Sequence, residues 1–89
     1  MSQPPLPELQ YPLLYVFRVV ARKVPDVARR VRQVVEPVVG PLPDDAVTER
    51  DSRAGAYAAV HVSCLLQSEA QRRDAYARIK AEPFVVMML

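Results

Sequence analysis

Residues 57–66 alternate between a core set and a more polar set, residues 13–21 and 84–89 are densely apolar, and two further stretches carry apolar residues at helical spacing. Residues 13–21 read Leu-Leu-Tyr-Val-Phe-Arg-Val-Val-Ala. β-Branched and aromatic residues dominate, which predicts a strand. Period two puts Tyr15, Phe17, Val19 and Ala21 on one face and Arg18 and Arg22 on the other. After Pro25-Asp26 the spacing changes. Val27, Val31, Val34, Val35 and Val38 recur at three and four, the helical repeat. Pro25 suits a helix start. Asp26 is expected in the first turn, where the dipole favours an acid. Pro37 weakens the last turn, and Gly40-Pro41 ends it.

A second strand is expected from Ala46 to Arg53, Ala-Val-Thr-Glu-Arg-Asp-Ser-Arg. Its charge suits a sheet edge. Ala54-Gly55-Ala56 supplies a hairpin bend. Tyr57–Leu66 then alternates most clearly. Ala58, Val60, Val62, Cys64 and Leu66 form the expected core face. Tyr57, Ala59, His61, Ser63 and Leu65 form the open one. Ser68 and Gln71 stand at capping-box spacing ahead of a second helix that runs to about Ala81. Tyr76 and Ile79 are its expected core contacts, with Ala70, Ala77 and Arg73 along the same side. Phe84–Leu89 is wholly apolar and reads as a terminal strand inside the sheet or at a covered edge. Either Val85, Met87 and Leu89 or Phe84, Val86 and Met88 would share the open face.

The order strand, helix, strand, strand, helix, strand has one simple solution under right-handed crossovers. It is an α+β sandwich, with a four-stranded antiparallel sheet in the order 4-1-3-2 and both helices on one face. This is the ferredoxin-like topology. It puts the two most strand-like segments, 13–21 and 57–66, at the centre. Residues 1–10, with Pro4, Pro5 and Pro7, read as a flexible tail, and Tyr11-Pro12 as an extended entry to one domain over 11–89.

Composition narrows the class. The chain has 89 residues, 51% hydrophobic and 25% charged, which suits one small folded domain. Twelve bases against ten acids leave a net charge of +2. A single cysteine, Cys64, excludes an internal disulfide and a thiolate cluster. Neither a leader pattern nor a span-length apolar run is evident, so a cytoplasmic location is expected, without membrane contact.

Several landmarks together resemble the YbeD-like family of small bacterial proteins of unknown function. They are Tyr11-Pro12 before the first strand, Pro25-Asp26 at the helix start, Gly55 and Tyr57 at the hairpin, and Val86-Met87-Met88-Leu89 at the end. The resemblance covers about Gln10 to Leu89. The family pattern has a lysine where this chain has Ala54, with Arg53 just before it, and an asparagine where it has Ala56. The resemblance implies a ferredoxin-like fold similar to small regulatory domains that bind amino acids. It therefore implies a regulatory or ligand-sensing role, in which Arg53 would replace the lysine if the hairpin holds an anion.

The candidate chemistry is sparse. His61 and Cys64 lie three apart on a strand and point to opposite faces, so they form no dyad. No metal-ligand spacing, phosphate loop or paired carboxylate is present, and Asp44-Asp45 reads as a solvated turn pair. Catalytic, cofactor and metal sites are therefore expected to be absent. The outer sheet face is too apolar for a solvated surface. It predicts a protein partner or a homodimer, with Arg18, Tyr57 and His61 as polar anchors. A small metabolite at the hairpin end is compatible with this reading. The alternative is a nucleic-acid-associated module using the basic face of the first helix, with Arg29 and Arg30, joined to Arg50 and Arg53. An RNA-binding sheet would need aromatics on its open face. Tyr15 and Phe17 are expected to face the helices instead.

Overall fold

The computed structural model describes residues 9–51 and 55–89. Most of the expected tail, together with Ser52, Arg53 and Ala54, lies outside the described residues. Six main elements follow in the order β1 (Leu13–Arg22), α1 (Val27–Val39), β2 (Val47–Asp51), β3 (Tyr57–Leu66), α2 (Glu69–Lys80) and β4 (Val85–Met88). The sheet order is β2-β3-β1-β4, and every neighbouring pair is antiparallel. Read from the other end this is 4-1-3-2, the ferredoxin-like fold.

One face of the sheet and both helices share a single core. Phe17, Val19 and Ala21 from β1 meet Ala58, Val60, Val62, Cys64 and Leu66 from β3. The helices add Val27, Val31, Val35, Ala75 and Ile79. Burying a side chain of this size contributes about 1.5–3 kcal/mol. That packing holds a valine-rich α1 whose intrinsic helix propensity is low. Tyr15 and Phe17 sit on the helix side, with their rings edge-on and 4.9 Å apart between centroids.

Three local expectations change. Asp26 stands at the N-cap of α1 rather than in its first turn, with φ 56° and no capping bond from its side chain. Aspartate tolerates this left-handed position better than most residues. Its carboxylate instead accepts from Arg29 at 2.8 Å. The expected end of α1 at Gly40-Pro41 holds, and its last turn forms past Pro37. The helix continues to Val39, because Val38 and Val39 pack against the core. It stops at Gly40, whose φ of 89° favours glycine. On α2 the core-facing small residue is Ala75; Ala70, Ala77 and Arg73 are exposed. Helical geometry pairs Ala75 with Ile79, four residues apart, on the face that meets the sheet. Finally, Tyr11 and Pro12 form a bend with a cis peptide rather than an extended entry.

β2 starts one residue later than expected, because Ala46 closes a 3-10 turn over Asp44–Ala46. Four of its five residues are exposed, as an edge strand permits. β4 lies at the opposite edge, hydrogen-bonded to β1 alone.

The start of α2 is closed by side chains. Ser68 Oγ accepts the Gln71 amide at 3.1 Å. Gln71 Oε1 accepts the amide of Gln67 at 2.7 Å, one residue earlier than a capping box would have it. Gln71 Nε2 donates to the Val38 carbonyl at 2.9 Å and so ties the start of α2 to the end of α1. Ser68→Ala is expected to lower unfolding free energy by about 1 kcal/mol, read as a shift of the urea midpoint at constant slope.

Candidate functional site

The open sheet face is built by alternation. β1 contributes Leu14, Val16, Arg18, Val20 and Arg22, paired respectively with Leu65, Ser63, His61, Ala59 and Tyr57 of β3. β2 adds Thr48 opposite His61 and Arg50 opposite Ala59. β4 adds Met87 opposite Val20. The face therefore holds an apolar cluster at each end. Leu14, Val16 and Leu65 make one; Val20, Ala59 and Met87 make the other. Arg18 and His61 cross the middle as direct neighbours.

These apolar groups meet solvent. Leu14 is 79% exposed and Leu89 74%, while Val16, Leu65, Val86 and Met87 are each more than two-fifths exposed. Neither of the two alternating sets expected for the last strand survives intact. A register shift between Val20 and Ala21 falls opposite Met87 and Val85. Val86 and Met87 are both exposed as a result, whereas Phe84, Val85 and Met88 pack toward the core. A bulge of this kind breaks strict alternation.

The sequence-predicted residues fall in two layers. Arg18 and His61 adjoin. Tyr57 lies on the same face four residues along β3, roughly 13 Å away at strand rise. Arg29 and Arg30 belong to α1, on the far side of the sheet. Arg53 lies outside the described residues. Cys64 pairs with Tyr15 in register and is buried. Burial pushes its thiol up from the ordinary value. His61 is exposed on the other face. Among the described residues no three His, Cys, Asp or Glu side chains come together as a metal set. Among them, too, no helix is long and apolar enough to cross a membrane.

The basic residues differ in how they are engaged. Arg29 pairs with Asp26. Arg32 donates to the carbonyls of Leu42 and Pro43 at 2.8 and 2.9 Å and lies 3.8 Å from Glu36. Lys23 pairs with Asp51. Arg50 registers on the open face, so the sheet separates it from α1.

A polar cluster that the sequence did not announce ties the N-terminal entry to α2. Tyr11 Oη donates to Glu69 Oε2 at 2.9 Å, and Arg72 donates to Glu69 Oε1 through both Nε and Nη2. The Arg72 guanidinium also lies over the Tyr15 ring, 6.0 Å from its centroid. Tyr11 and Glu69 are 58 positions apart, and only the fold joins them. The Arg72 hydrogen bonds, then that of Tyr11, hold the Glu69 carboxyl below its ordinary value. Native Glu69 therefore binds fewer protons than unfolded Glu69 in mild acid. Its stabilisation is complete above the unfolded glutamate value of about pH 4.3 and fades as pH falls through the lowered native one. The gap in urea midpoint between the parent chain and Glu69→Gln is expected to be widest near neutrality and to close in acid.

The chain is similar in fold to the solution structure of protein HP0495 from H. pylori. The TM-score is 0.77, and the match covers 100% of this chain and 98% of that one, at 19% sequence identity. No curated protein matches the chain. The family model described as "Protein of unknown function (DUF493)" matches residues 7–89. Nearly the whole folded chain is thereby accounted for, and the protein belongs to that family, the YbeD family.

Proposed function

We propose that this domain is a non-catalytic protein-interaction module whose contact surface is the open sheet face. The carrying observation is the exposure of Leu14, Val16, Leu65, Met87 and Leu89 on or beside one side of the sheet. Exposed apolar surface of this extent, crossed by polar groups, is characteristic of interaction sites.

Charge selects the kind of partner. The face carries Arg18 and Arg50, with Arg22 at the end of its row, and none has an ion-pair partner among the described residues. Alternation puts no carboxylate side chain on this face among the described strand residues. A second copy would bring like charges together, at a cost in association free energy. A protein surface that interleaves carboxylates with apolar side chains complements it instead. A nucleic-acid role for α1 draws less support, because Arg29 and Arg32 are already engaged and Arg50 lies across the sheet.

Sedimentation velocity over a concentration series is expected to give a monomer. The full-length chain, immobilised, should retain from lysate a protein that Arg18→Glu and Leu65→Ser both release and Arg73→Glu keeps. A dimer that Leu65→Ser disperses would overturn the choice of partner. Retention indifferent to both face variants would overturn the surface.

A further inference from the structure

We infer that the free end of the β3 edge, in a cleft beside the α1–β2 loop, is a docking site for an extended, apolar and basic segment of a partner protein. The cleft borders the open face at Leu14 and Leu65 but does not rest on the sheet-face reading, in which Arg18 and Arg50 call for carboxylates. β2 pairs with β3 only as far as Val62, whereas β1 follows β3 to Leu66. Beyond Val62, β3 therefore has a strand on one side only. A cleft of about 550 Å³ lies there, within the range of binding pockets. Ser63, Cys64 and Leu65 line it in succession. Consecutive strand residues point to opposite faces, so a cleft lined by all three runs along the edge of the strand.

Two backbone bonds show which groups face it. The Leu89 amide donates to the Arg18 carbonyl at 2.8 Å, and the Arg22 amide to the Phe84 carbonyl at 2.7 Å. Even-numbered residues of β1 thus turn their main-chain groups toward β4. Their partners on β3, among them His61, Ser63 and Leu65, turn theirs away from β1. At His61 the next neighbour is Thr48 of β2. At Leu65 neither the N–H nor the C=O has a partner among the described residues, and the Ser63 C=O has none either. The loop across the cleft does not complete the ladder. Pro41 and Pro43 have no N–H to give. The Leu42 amide donates to Glu36 Oε2 at 2.9 Å, and the Ala46 amide to the Pro43 carbonyl at 3.0 Å. The Leu42 and Pro43 carbonyls accept from Arg32.

Unpaired strand groups inside an apolar cleft match an extended peptide. Its main chain adds to the sheet while alternate side chains fill the cleft. Leu14, Val39 and Leu42 supply apolar walls. Asp45 stands exposed on the rim, next to Asp44, and pairs with no base among the described residues. Charge complementarity therefore calls for a lysine or arginine on the incoming segment. The chain's own first eight residues do not meet this description. Pro4, Pro5 and Pro7 cannot donate to a ladder, and the one charged side chain there, Glu8, is acidic.

The test is amide NMR of the isotopically labelled full chain. The probes are three capped hexapeptides in which lysine alternates with leucine, valine or phenylalanine. Saturable shifts are expected at Ser63, Leu65 and Gln67 with at least one of them. Glutamates in place of the lysines should weaken binding about threefold or more, and Asp45→Asn should remove that preference. Methylating one alternate set of peptide nitrogens should weaken binding about tenfold or more, the effect of lost main-chain bonds, and methylating the other set far less. Arg18→Gln should leave binding unchanged. Both substituted residues are exposed, and a thermal melt of each variant confirms that it folds. No saturable shift with any peptide, or equal loss from the two methylated sets, would overturn the site. Loss with Arg18→Gln but not Asp45→Asn would overturn it by moving the peptide to the open face. Shifts at the same amides on dilution of the free protein would overturn it in favour of a second copy.

Discussion

Val62→Lys is expected to unfold the domain, while Ser63→Lys, one residue along, leaves it folded. Val62 is fully buried between Phe17 on β1 and Val47 on β2, facing the helices. A lysine there must bury an unpaired ammonium or thread it out past packed helices. Either costs several kcal/mol even after relaxation. A domain of this size has about 5–15 kcal/mol in all. Ser63 points to the open face and is exposed, so a lysine there reaches water. Surface changes of that kind stay within about 0.5 kcal/mol. Far-UV circular dichroism and urea unfolding of both variants check the pair. A folded Val62→Lys would mean that the two faces of β3 are misassigned.

Phe17→Ala is expected to cost about 3–5 kcal/mol, and Leu14→Ala far less. Phe17 is 1% exposed and stands at the centre of β1, against Val62 across the strand pair and in edge contact with Tyr15. Its removal leaves a void that neighbouring valines, stiff at χ1, fill poorly. Leu14 lies on the same strand but is mostly in solvent, so little apolar area returns to water. Urea midpoints measured on both variants give the contrast directly. The same measurement separates fold from function. Leu14 and Leu65 are proposed to contact a partner, so their replacement should weaken association while the midpoint barely moves.

The strands and helices could be read from the chain because their periods are strong. β3 alternates over ten residues with no interruption, and its two faces fall in the structure where the alternation puts them. α1 carries five valines at helical spacing, and three of them are buried. α2 is less legible. Its apolar content is too low for periodicity to separate Ala75 from Ala70 and Ala77, and only the helix's seat on the sheet selects the buried one. Asp26 is ambiguous in the same way. An acid beside a helix start is equally compatible with the first turn and with a left-handed N-cap, and the Arg29 contact accompanies the second.

Of the candidate surface, the sequence showed that one sheet face is apolar and crossed by Arg18 and His61. It could not show how β4 contributes, because a bulge shifts the alternation by one residue.

What this sequence determined by itself was local and periodic: which residues face a core, where helices start and stop, and a topology that follows from element order. Those properties depend on neighbours within a few positions along the chain. What only the tertiary structure decided was convergence. It placed Tyr11 on Glu69 and collected Arg18 and Arg50 on a sheet face to which the described strand residues bring no carboxylate side chain. Such contacts depend on the packing of distant segments, and no period in the sequence encodes them.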